Sequence, residues 1–311
     1  MKKSLAAIAA CRFLAAVAAG GLLAGSALAP AFAQGAGPDY SKVEEQVTDL
    51  GHNIYAMTGA GGNTTVAVGT DGIIVVDTQF APLYDKIKAK IASLSPLPVK
   101  YVILTHYHGD HTGGAEGFAK DGAILVSTAQ LAVRMKAPPP GANGQPGTPA
   151  PDDAIPKQTY SGGSYQVKIG GVTADLVHTP PGHTDGDSIV FWRAENVIST
   201  GDLASSASYP NIDVAVGGGI DGMIAGASYI IDHSDANTKI VPGHGPVTDR
   251  AGVMAYRAML QTARDRIAKA KADGQTEDQV ANGTLLADLD AKWKPGPAPS
   301  RFPRLVYESV K

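Results

Sequence analysis

The sequence predicts a layered α/β protein. Short apolar segments typical of buried strands alternate with segments in which apolar residues recur at helical spacing, a pattern typical of sheets covered by helices. Strands are predicted at Thr64–Val68, Ile73–Asp77, Ile124–Ser127, Tyr165–Ile169, Val172–Val177, Ser188–Trp192 and Val197–Ser199. Helices are predicted at Pro82–Leu94, Ala129–Met135, Asp221–Ile231, Arg250–Lys271, Thr276–Ala287 and Phe302–Val310.

Turn residues and apolar spacing justify these elements. Gly69–Gly72 forms a turn between the first two strands, and Gly170–Gly171 joins the two strands of a hairpin. In the first helix Leu83, Ile87 and Ile91 are four residues apart, so they share one face. The longest predicted helix is amphipathic, as expected for a helix that covers a sheet.

A secretory signal peptide is predicted for residues 1–33. The basic residues Lys2, Lys3 and Arg12 are followed by an apolar stretch and then by the small-residue cleavage site Ala31-Phe32-Ala33. Glycines and a proline interrupt the apolar stretch, so we expect cleavage and no stable membrane insertion afterwards. The protein is therefore expected in the periplasm or outside the cell.

The mature chain, residues 34–311, is expected to form a single domain of 278 residues. The only cysteine, Cys11, lies in the removed segment, so the mature chain has neither a disulfide nor a thiolate metal ligand. The mature chain has 23 basic and 29 acidic side chains, a net charge of −6. Proteins that follow a nucleic-acid backbone usually need a basic surface. We therefore expect a small-molecule substrate and no nucleic-acid partner.

Residues 137–157 differ from the rest of the chain in composition. The segment Ala137–Lys157 is rich in proline and glycine and has almost no side chains suited to a core, so no element of its own is expected there. It is predicted to be either a surface insertion or a mobile rim over the candidate metal site formed by the residues described next.

The most specific local pattern is H-x-H-x-D-H, directly after the apolar run Tyr101–Leu104. It contains His106, His108, Asp110 and His111. Side chains alternate along an extended strand end, so the first two histidines share a face, and the following turn directs the other two side chains to a neighbouring point. Imidazole and carboxylate groups suit zinc and similar divalent metals.

Three further candidate ligands follow downstream. His183, Asp202 and His244 each lie at the end of, or in a glycine-flanked loop after, a short strand-like segment. Glycine permits tight turns and close approach of the backbone to a site. Together the two sets contain five of the eight histidines of the chain, which is hard to explain by separate structural roles.

This order of motifs resembles the metallo-β-lactamase superfamily, from about Val47 to Val247. The resemblance implies an α/β fold of the αβ/βα type, a four-layer sandwich in which two mixed sheets pack face to face with helices outside. It also divides the seven residues between two metal ions, the first bound by His106, His108 and His183, the second by Asp110, His111 and His244, and both by the bridging Asp202. The bridging carboxylate is typical of the glyoxalase-II-like branch.

The implied function is that of a dinuclear metallohydrolase with two zinc ions, although iron and manganese accept the same ligands. Two such ions, roughly 3.5–4 Å apart, lower the pKa of a shared water toward about 7 and so provide a bridging hydroxide. Asp110 is expected to have a catalytic role as well, by orienting this hydroxide. The expected reaction is hydrolysis of an ester, lactone, thioester or amide.

Two alternatives remain open. A metallo-β-lactamase acting on β-lactam antibiotics shares the motif and the secretion, but that branch usually lacks a metal-binding carboxylate at the position of Asp202. The second alternative is a mononuclear iron sulfur dioxygenase, because these enzymes keep the histidines of the motif. The segment from Gly182 to Leu203 also resembles periplasmic proteins found beside quinoprotein and sulfur-oxidation systems. The second alternative therefore includes a non-catalytic accessory protein of such a system.

Several residues outside the motif are weaker candidates. Asp77 ends a predicted strand where the family places a carboxylate that orients a metal-bound histidine, and a plain turn aspartate is the alternative. Tyr107 is expected to serve packing. In the loop Ser205–Gly219, which follows the bridging carboxylate, Tyr209 and Asn211 are candidate substrate contacts.

Overall fold

The structure is a computed structural model that describes residues 39–141, 144–293 and 298–310, so the predicted signal peptide lies outside the described residues. The strands are β1 (Gln46–Gly51), β2 (Ile54–Thr58), β3 (Thr64–Val68), β4 (Ile73–Val76), β5 (Val99–Ile103), β6 (Ile124–Thr128), β7 (Gln158–Tyr160), β8 (Ser164–Ile169), β9 (Val172–His178), β10 (Ser188–Trp192), β11 (Val197–Ser199) and β12 (Lys239–Val241). The helices are α1 (Tyr84–Leu94), α2 (Gly109–Thr112), α3 (Ala115–Lys120), α4 (Ala129–Lys136), α5 (Ile220–Asp232), α6 (Arg250–Ala272), α7 (Glu277–Ala281), α8 (Ala287–Trp293) and α9 (Arg301–Ser309). Within these ranges, none of the helices is both long and apolar enough to span a bilayer.

The strands form two mixed sheets. The first sheet has the order β1-β2-β3-β4-β5-β6-β7, antiparallel as far as β4 and parallel from β4 to β7. The second has the order β12-β11-β10-β9-β8, in which β11 and β12 run parallel. Val76 pairs with Ile103 in the first sheet, and Ser199 pairs with Val241 in the second. Each sheet therefore has two parallel strands that end side by side.

Alternating side chains divide the core into three apolar layers. Ile74 faces the second sheet and belongs to the same cluster as Trp192, whereas its neighbour Ile73 faces outward and packs with Ile87 of α1. On the other outer face Phe191 packs among residues of α5 and α6. The order of layers is therefore helix, sheet, sheet, helix. The predicted αβ/βα sandwich is confirmed.

The predicted elements are found within two residues of their predicted bounds, with one exception. The single helix predicted at Thr276–Ala287 is wrong, because the structure has two helices, α7 and α8, in this region. Thr276 and Gln279 form a capping box at the start of α7, and the side chain of Asn282 donates to the carbonyl oxygen of Asp278 at its end. Asn and Gly at 282 and 283 are poor helix formers, and the chain turns there.

The prediction that residues 137–157 form no element is wrong for the second half of this segment. Asp152–Ala154 form a turn of 3-10 helix, and Ala154 and Ile155 are buried in the outer core beside α3 and α4. The backbone N–H of Ala150 donates to the carbonyl oxygen of Met135. Few apolar residues are needed here, because the segment adds to an existing layer and does not build a core of its own.

Candidate metal centre

The structure brings all seven candidate ligands together where parallel strands of both sheets end. The first sheet supplies four of them after β5, namely His106, His108, Asp110 and His111. The second sheet supplies His183 from the loop between β9 and β10, Asp202 after β11 and His244 after β12. The N–H of Ser188 donates to the carbonyl oxygen of Thr105 across 2.9 Å, which ties the two sheets together beside the centre.

The ligand atoms form three overlapping groups, and within each group all of them lie within 4.8 Å of one another. The groups are His106, His108 and His183; His106, His111 and Asp202; and Asp110, His111 and His244. The first and third groups coincide with the two ligand sets that the resemblance implied. Asp202 belongs to the group that connects them.

Asp202 lies at the middle of the cluster. Its Oδ1 is 3.1 Å from Nε2 of His111, and its Oδ2 is 3.4 Å from Nε2 of His183 and 3.4 Å from Nε2 of His244. On the outer side Oδ2 of Asp110 is 3.4 Å from Nε2 of His244. One carboxylate therefore faces histidines of both ligand sets.

Two polar atoms in this cluster show that the residues fit a divalent cation. Nε2 of His106 and Oδ1 of Asp202 are buried and have no hydrogen-bond partner. Such atoms usually have a partner, because leaving them unpaired costs about 1–3 kcal/mol each. A cation between them would satisfy both, and imidazole nitrogen and carboxylate oxygen are suitable donors for it.

Asp77 orients His111 from outside the ligand set. Its Oδ2 accepts a hydrogen bond from Nδ1 of His111 at 2.8 Å, while its Oδ1 accepts from the backbone N–H of Thr105 at 2.8 Å. With Nδ1 protonated, Nε2 of the ring is free to bind a metal. The structure thus places Asp77 as the carboxylate predicted from the family and not as a plain turn residue.

Asp213 has the corresponding contact with His108, and the sequence analysis missed it. Its Oδ2 lies 3.0 Å from Nε2 of His108 and also accepts a hydrogen bond from the hydroxyl of Tyr107. Nδ1 of His108 is left facing Nε2 of His183 at 2.9 Å. Tyr107, expected to serve only packing, therefore supports this contact. The only sequence signal for this role of Asp213 was that an acidic residue occurs in the loop after Asp202.

His183 is oriented by the backbone of the same loop. Its Nδ1 donates to the carbonyl oxygen of Asn211 at 2.8 Å. The loop that contains His183 is closed by Asp187, whose carboxylate accepts from the backbone N–H groups of His183 and Thr184. Asp187 thus stabilises the loop.

Glycines allow the backbone to approach the ligands. A Cβ atom on Gly243 would lie 1.9 Å from Oδ1 of Asp202, and one on Gly62 would lie 2.1 Å from Cε1 of His111. In the turn between β2 and β3, Nδ2 of Asn63 donates to the carbonyl oxygens of Pro242 and Gly245 in the loop of His244. The β2–β3 turn and the loop of His244 therefore pack directly onto the centre.

Burial and neighbouring charges shift the pKa values of the ligands. Burial alone would raise the pKa of Asp202, but His111 and His244 hold it well below its usual value. Burial, assisted by His111, lowers the pKa of His106 well below its usual value. For His244 burial acts in the same direction, but the Asp202 carboxylate outweighs it and raises the pKa to about 10. Burial would also lower the pKa of His111, but the Asp202 and Asp77 carboxylates raise it well above its usual value. Ionised Asp202 and neutral His106 are ready to bind a metal, whereas His111 and His244 must first lose a proton.

A cavity of about 270 Å³ opens onto the centre. Five ligands line it, together with Ala204, Ser205, Ser208, Tyr209, Pro210 and Asn211. None of these lining residues is Lys or Arg. No described residue of the segment 137–157 lines the cavity either, so the described part of that segment does not support a rim over the centre.

The two residues predicted as substrate contacts line the cavity, but the hydroxyl of Tyr209 and the side-chain oxygen of Asn211 bond to residues outside this lining. The hydroxyl of Tyr209 donates to Oδ1 of Asp290 at 2.8 Å. Oδ1 of Asn211 accepts from the guanidinium of Arg301 at 2.8 Å. The structure therefore gives both residues a supporting role.

The fold and the centre define an αβ/βα protein with a His/Asp metal site at the ends of its central strands. Comparison with protein families gives the same class. The family model described as "Metallo-beta-lactamase superfamily" matches residues 57–244. The chain belongs to this superfamily. Its members are typically hydrolytic enzymes, and the His/Asp cluster of this chain is a group of residues that could hold a metal ion.

Known relatives are distant. The chain is 27% identical to the beta-lactamase-like protein 2 homolog of Caenorhabditis elegans over 67% of its own length and 64% of the relative's length. A metallo-beta-lactamase from Pontibacter korlensis superposes with a TM-score of 0.58 at 19% identity, covering 70% of this chain and 99% of that one. The sec-alkylsulfatase Pisa1 from Pseudomonas sp. superposes with a TM-score of 0.63 at 17% identity, covering 85% of this chain and 50% of that one. These structures show the fold alone.

Proposed function

We propose that this protein is a secreted hydrolase that uses two divalent metal ions, mostly zinc, to cleave an ester, lactone, thioester or amide bond in a small molecule. The observation that carries the proposal is the position of Asp202. Its two oxygens lie 3.1 Å from Nε2 of His111 and 3.4 Å from Nε2 of His183, and these histidines belong to different ligand sets. One carboxylate can therefore serve both metals. The signal-like composition of residues 1–33 supports secretion.

The seven side chains would hold the ions as two sets, His106, His108 and His183 in one, Asp110, His111 and His244 in the other, with Asp202 between them. Ions held in this way would supply a hydroxide nucleophile near neutral pH and a Lewis acid for the scissile carbonyl. Burial alone would raise the pKa of Asp110, but its hydrogen bond with His244 keeps it below the usual value. The ionised carboxylate can then accept a hydrogen bond from the attacking water and orient it.

The cavity favours a small substrate that is uncharged near the reacting bond. Its volume is about 270 Å³, and its lining includes no Lys or Arg to pair with an anionic group. Ser205 and Ser208 place hydroxyl groups in the same wall. Neutral esters and lactones therefore fit the lining better than substrates with a carboxylate beside the scissile bond.

Metal analysis of the purified mature protein, combined with a hydrolysis screen, tests the proposal. The screen uses 4-nitrophenyl acetate, a γ-lactone, an acyl thioester and a chromogenic cephalosporin. We expect two zinc ions per chain and hydrolysis of at least one of the first three compounds. His233→Ala, which changes a histidine at the end of α5 and outside the centre, serves as the control and should change neither result.

Other outcomes contradict the proposal in distinct ways. One iron and no zinc per chain, after expression with both metals supplied, would favour the sulfur dioxygenase. Hydrolysis of the cephalosporin alone would favour a β-lactamase. Two zinc ions without any hydrolysis would favour a non-catalytic accessory role.

A further inference from the structure

We propose that the C-terminal helices control the affinity of one of the two metal subsites. They would do so through residues 204–213, named here the support loop, which positions His108 and His183. Arg301 of α9 is the positioning residue at the far end of this connection. The inference rests on the proposed function only in that it requires the centre to bind two metals.

The support loop contacts two of the three ligands of the first set, His108 and His183. The carbonyl oxygen of Asn211 accepts from Nδ1 of His183 at 2.8 Å, and Oδ2 of Asp213 lies 3.0 Å from Nε2 of His108. The backbone N–H of Asp213 also donates to the carbonyl oxygen of His183 at 2.8 Å. The orientation of these two rings therefore depends on the path of the loop. Groups that orient a metal ligand typically change metal affinity by about 10–100-fold.

The loop is held in turn by α8 and α9. The ring of Tyr209 stacks on Phe302 with centroids 4.5 Å apart, and its backbone N–H donates to the carbonyl oxygen of Trp293 at 2.8 Å. Arg301 contacts Oδ1 of Asn211 with both Nε, at 3.1 Å, and Nη2, at 2.8 Å. The forked contact fixes the residue whose own carbonyl oxygen orients His183. A lysine cannot reproduce such a contact, because its ammonium group is a single point of charge.

The second set of ligands is held mainly by other parts of the chain, and by the support loop only at its first residues, where the N–H of Ser206 donates to the carbonyl oxygen of His244 at 3.2 Å. Asp77 orients His111, and Asn63 holds the loop of His244 through the carbonyl oxygens of Pro242 and Gly245. These supports come from the first sheet and its turns. Loosening the support loop at Asn211, the end that Arg301 contacts, should therefore weaken the metal bound by His106, His108 and His183 and leave the other metal almost unchanged.

The experiment measures zinc release from the full mature protein against increasing concentrations of a chelator. Arg301→Ala should release one of its two zinc ions at about ten-fold lower free chelator than the wild type, and the second ion at the wild-type concentration. Arg301→Lys should lie between Arg301→Ala and the wild type. Arg304→Ala is the matched control, because Arg304 lies on the same helix but pairs with Glu277 and Asp278 of α7. It should release both ions as the wild type does.

Two double variants assign the weakened subsite. In a His244→Ala background, which disables the second set, adding Arg301→Ala should weaken the remaining zinc about ten-fold. In a His183→Ala background, which disables the first set, adding Arg301→Ala should leave the remaining zinc unchanged. Circular dichroism and the melting temperature of each protein confirm that it is folded before it is compared.

Each remaining outcome contradicts a specific statement. If Arg301→Ala released both ions as the wild type does, or weakened both equally, the inference would be wrong while the proposed function stood. If the wild type bound two zinc ions but hydrolysed nothing, only the proposed reaction would be wrong. A wild type that bound no zinc would overturn both.

Discussion

Nδ1 of His111 donates a hydrogen bond to Oδ2 of Asp77 across 2.8 Å, and Asp77 accepts it from a left-handed backbone conformation with φ of +60°. Aspartate and asparagine adopt this region more readily than most residues. The same carboxylate receives the N–H and the hydroxyl of Thr105, so its orientation is fixed on two sides. The strained backbone thus places one carboxylate where it selects the tautomer of a buried metal ligand.

Asp77→Asn should weaken metal binding although it keeps the size of the side chain and its tolerance of positive φ. The amide has one acceptor oxygen in place of two, so its NH2 group would face either Thr105 or Nδ1 of His111. In the second case the ring changes tautomer and Nε2 carries the proton. We expect about 10–100-fold lower zinc affinity in chelator competition. Wild-type affinity in this variant would show that the tautomer is fixed in another way.

Asp202→Ala should lower hydrolysis by orders of magnitude while the fold persists. The carboxylate lies within 3.4 Å of Nε2 of His111, of His183 and of His244, so its loss separates the two ligand sets. Steady-state kinetics with the best substrate of the screen, together with zinc content, measure this effect. Asp175→Ala, which removes a carboxylate on β9 that pairs with Arg193, is the control and should retain activity. Near wild-type activity in Asp202→Ala would remove the case for a bridging carboxylate.

The stability of the metal-free protein should fall as the pH rises above neutrality. Burial lowers the pKa of His244, but the Asp202 carboxylate outweighs it and raises the pKa to about 10. Against the same effect of burial, Asp202 and Asp77 raise the pKa of His111, which contributes in the same direction. A histidine whose folded-state pKa is raised contributes stability below its unfolded pKa of about 6.5, and this contribution is lost as the pH approaches about 10. Urea denaturation of chelator-treated protein between pH 6.5 and 9.5 measures the loss. His244→Ala should show a flatter profile, and an equally steep one would contradict this assignment.

The two halves of the Pro/Gly-rich segment should differ in their effect on stability. Replacing residues 139–148 by a short Gly/Ser linker should leave the melting temperature nearly unchanged, because few apolar side chains are lost. Ile155→Ala should cost about 2–4 kcal/mol, because Ile155 is buried at 6% exposure in the outer core. Chemical denaturation gives both free energies of unfolding. A large loss from the linker replacement would mean that the first half also packs against the domain.

The fold and the ligand set could be predicted because their signals are local. The strands before the ligands have compact apolar patterns, and the four ligands after β5 lie within six residues. The helix predicted at Thr276–Ala287 failed at Asn282 and Gly283, where a cap and a turn interrupt the helical spacing. The burial of Ile155 was not predicted, because composition does not show that an isolated apolar residue packs against an existing layer.

The groups that orient the ligands were predicted less well, because their contacts depend on tertiary structure. Asp77 could be anticipated, since it follows a strand whose neighbour carries the motif. Asp213 lies 105 residues from His108 along the chain, and its contact requires the path of the loop after Asp202. That path is fixed by Trp293 and Arg301, which belong to helices near the end of the chain. No spacing in the sequence connects these positions.

The division of the ligands between the two sheets has a consequence for unfolding. Four ligands follow β5 of the first sheet, and three follow strands of the second, so each bound ion would act as a crosslink across the sandwich. Residues 34–311 contain no cysteine and hence no covalent crosslink of this kind. A ligand that binds only the folded state adds about 2.7 kcal/mol of stability at one hundred times its dissociation constant. Chelation should therefore lower resistance to heat and proteases across both sheets, and the supply of metal to the newly folded chain should determine how much of the protein survives.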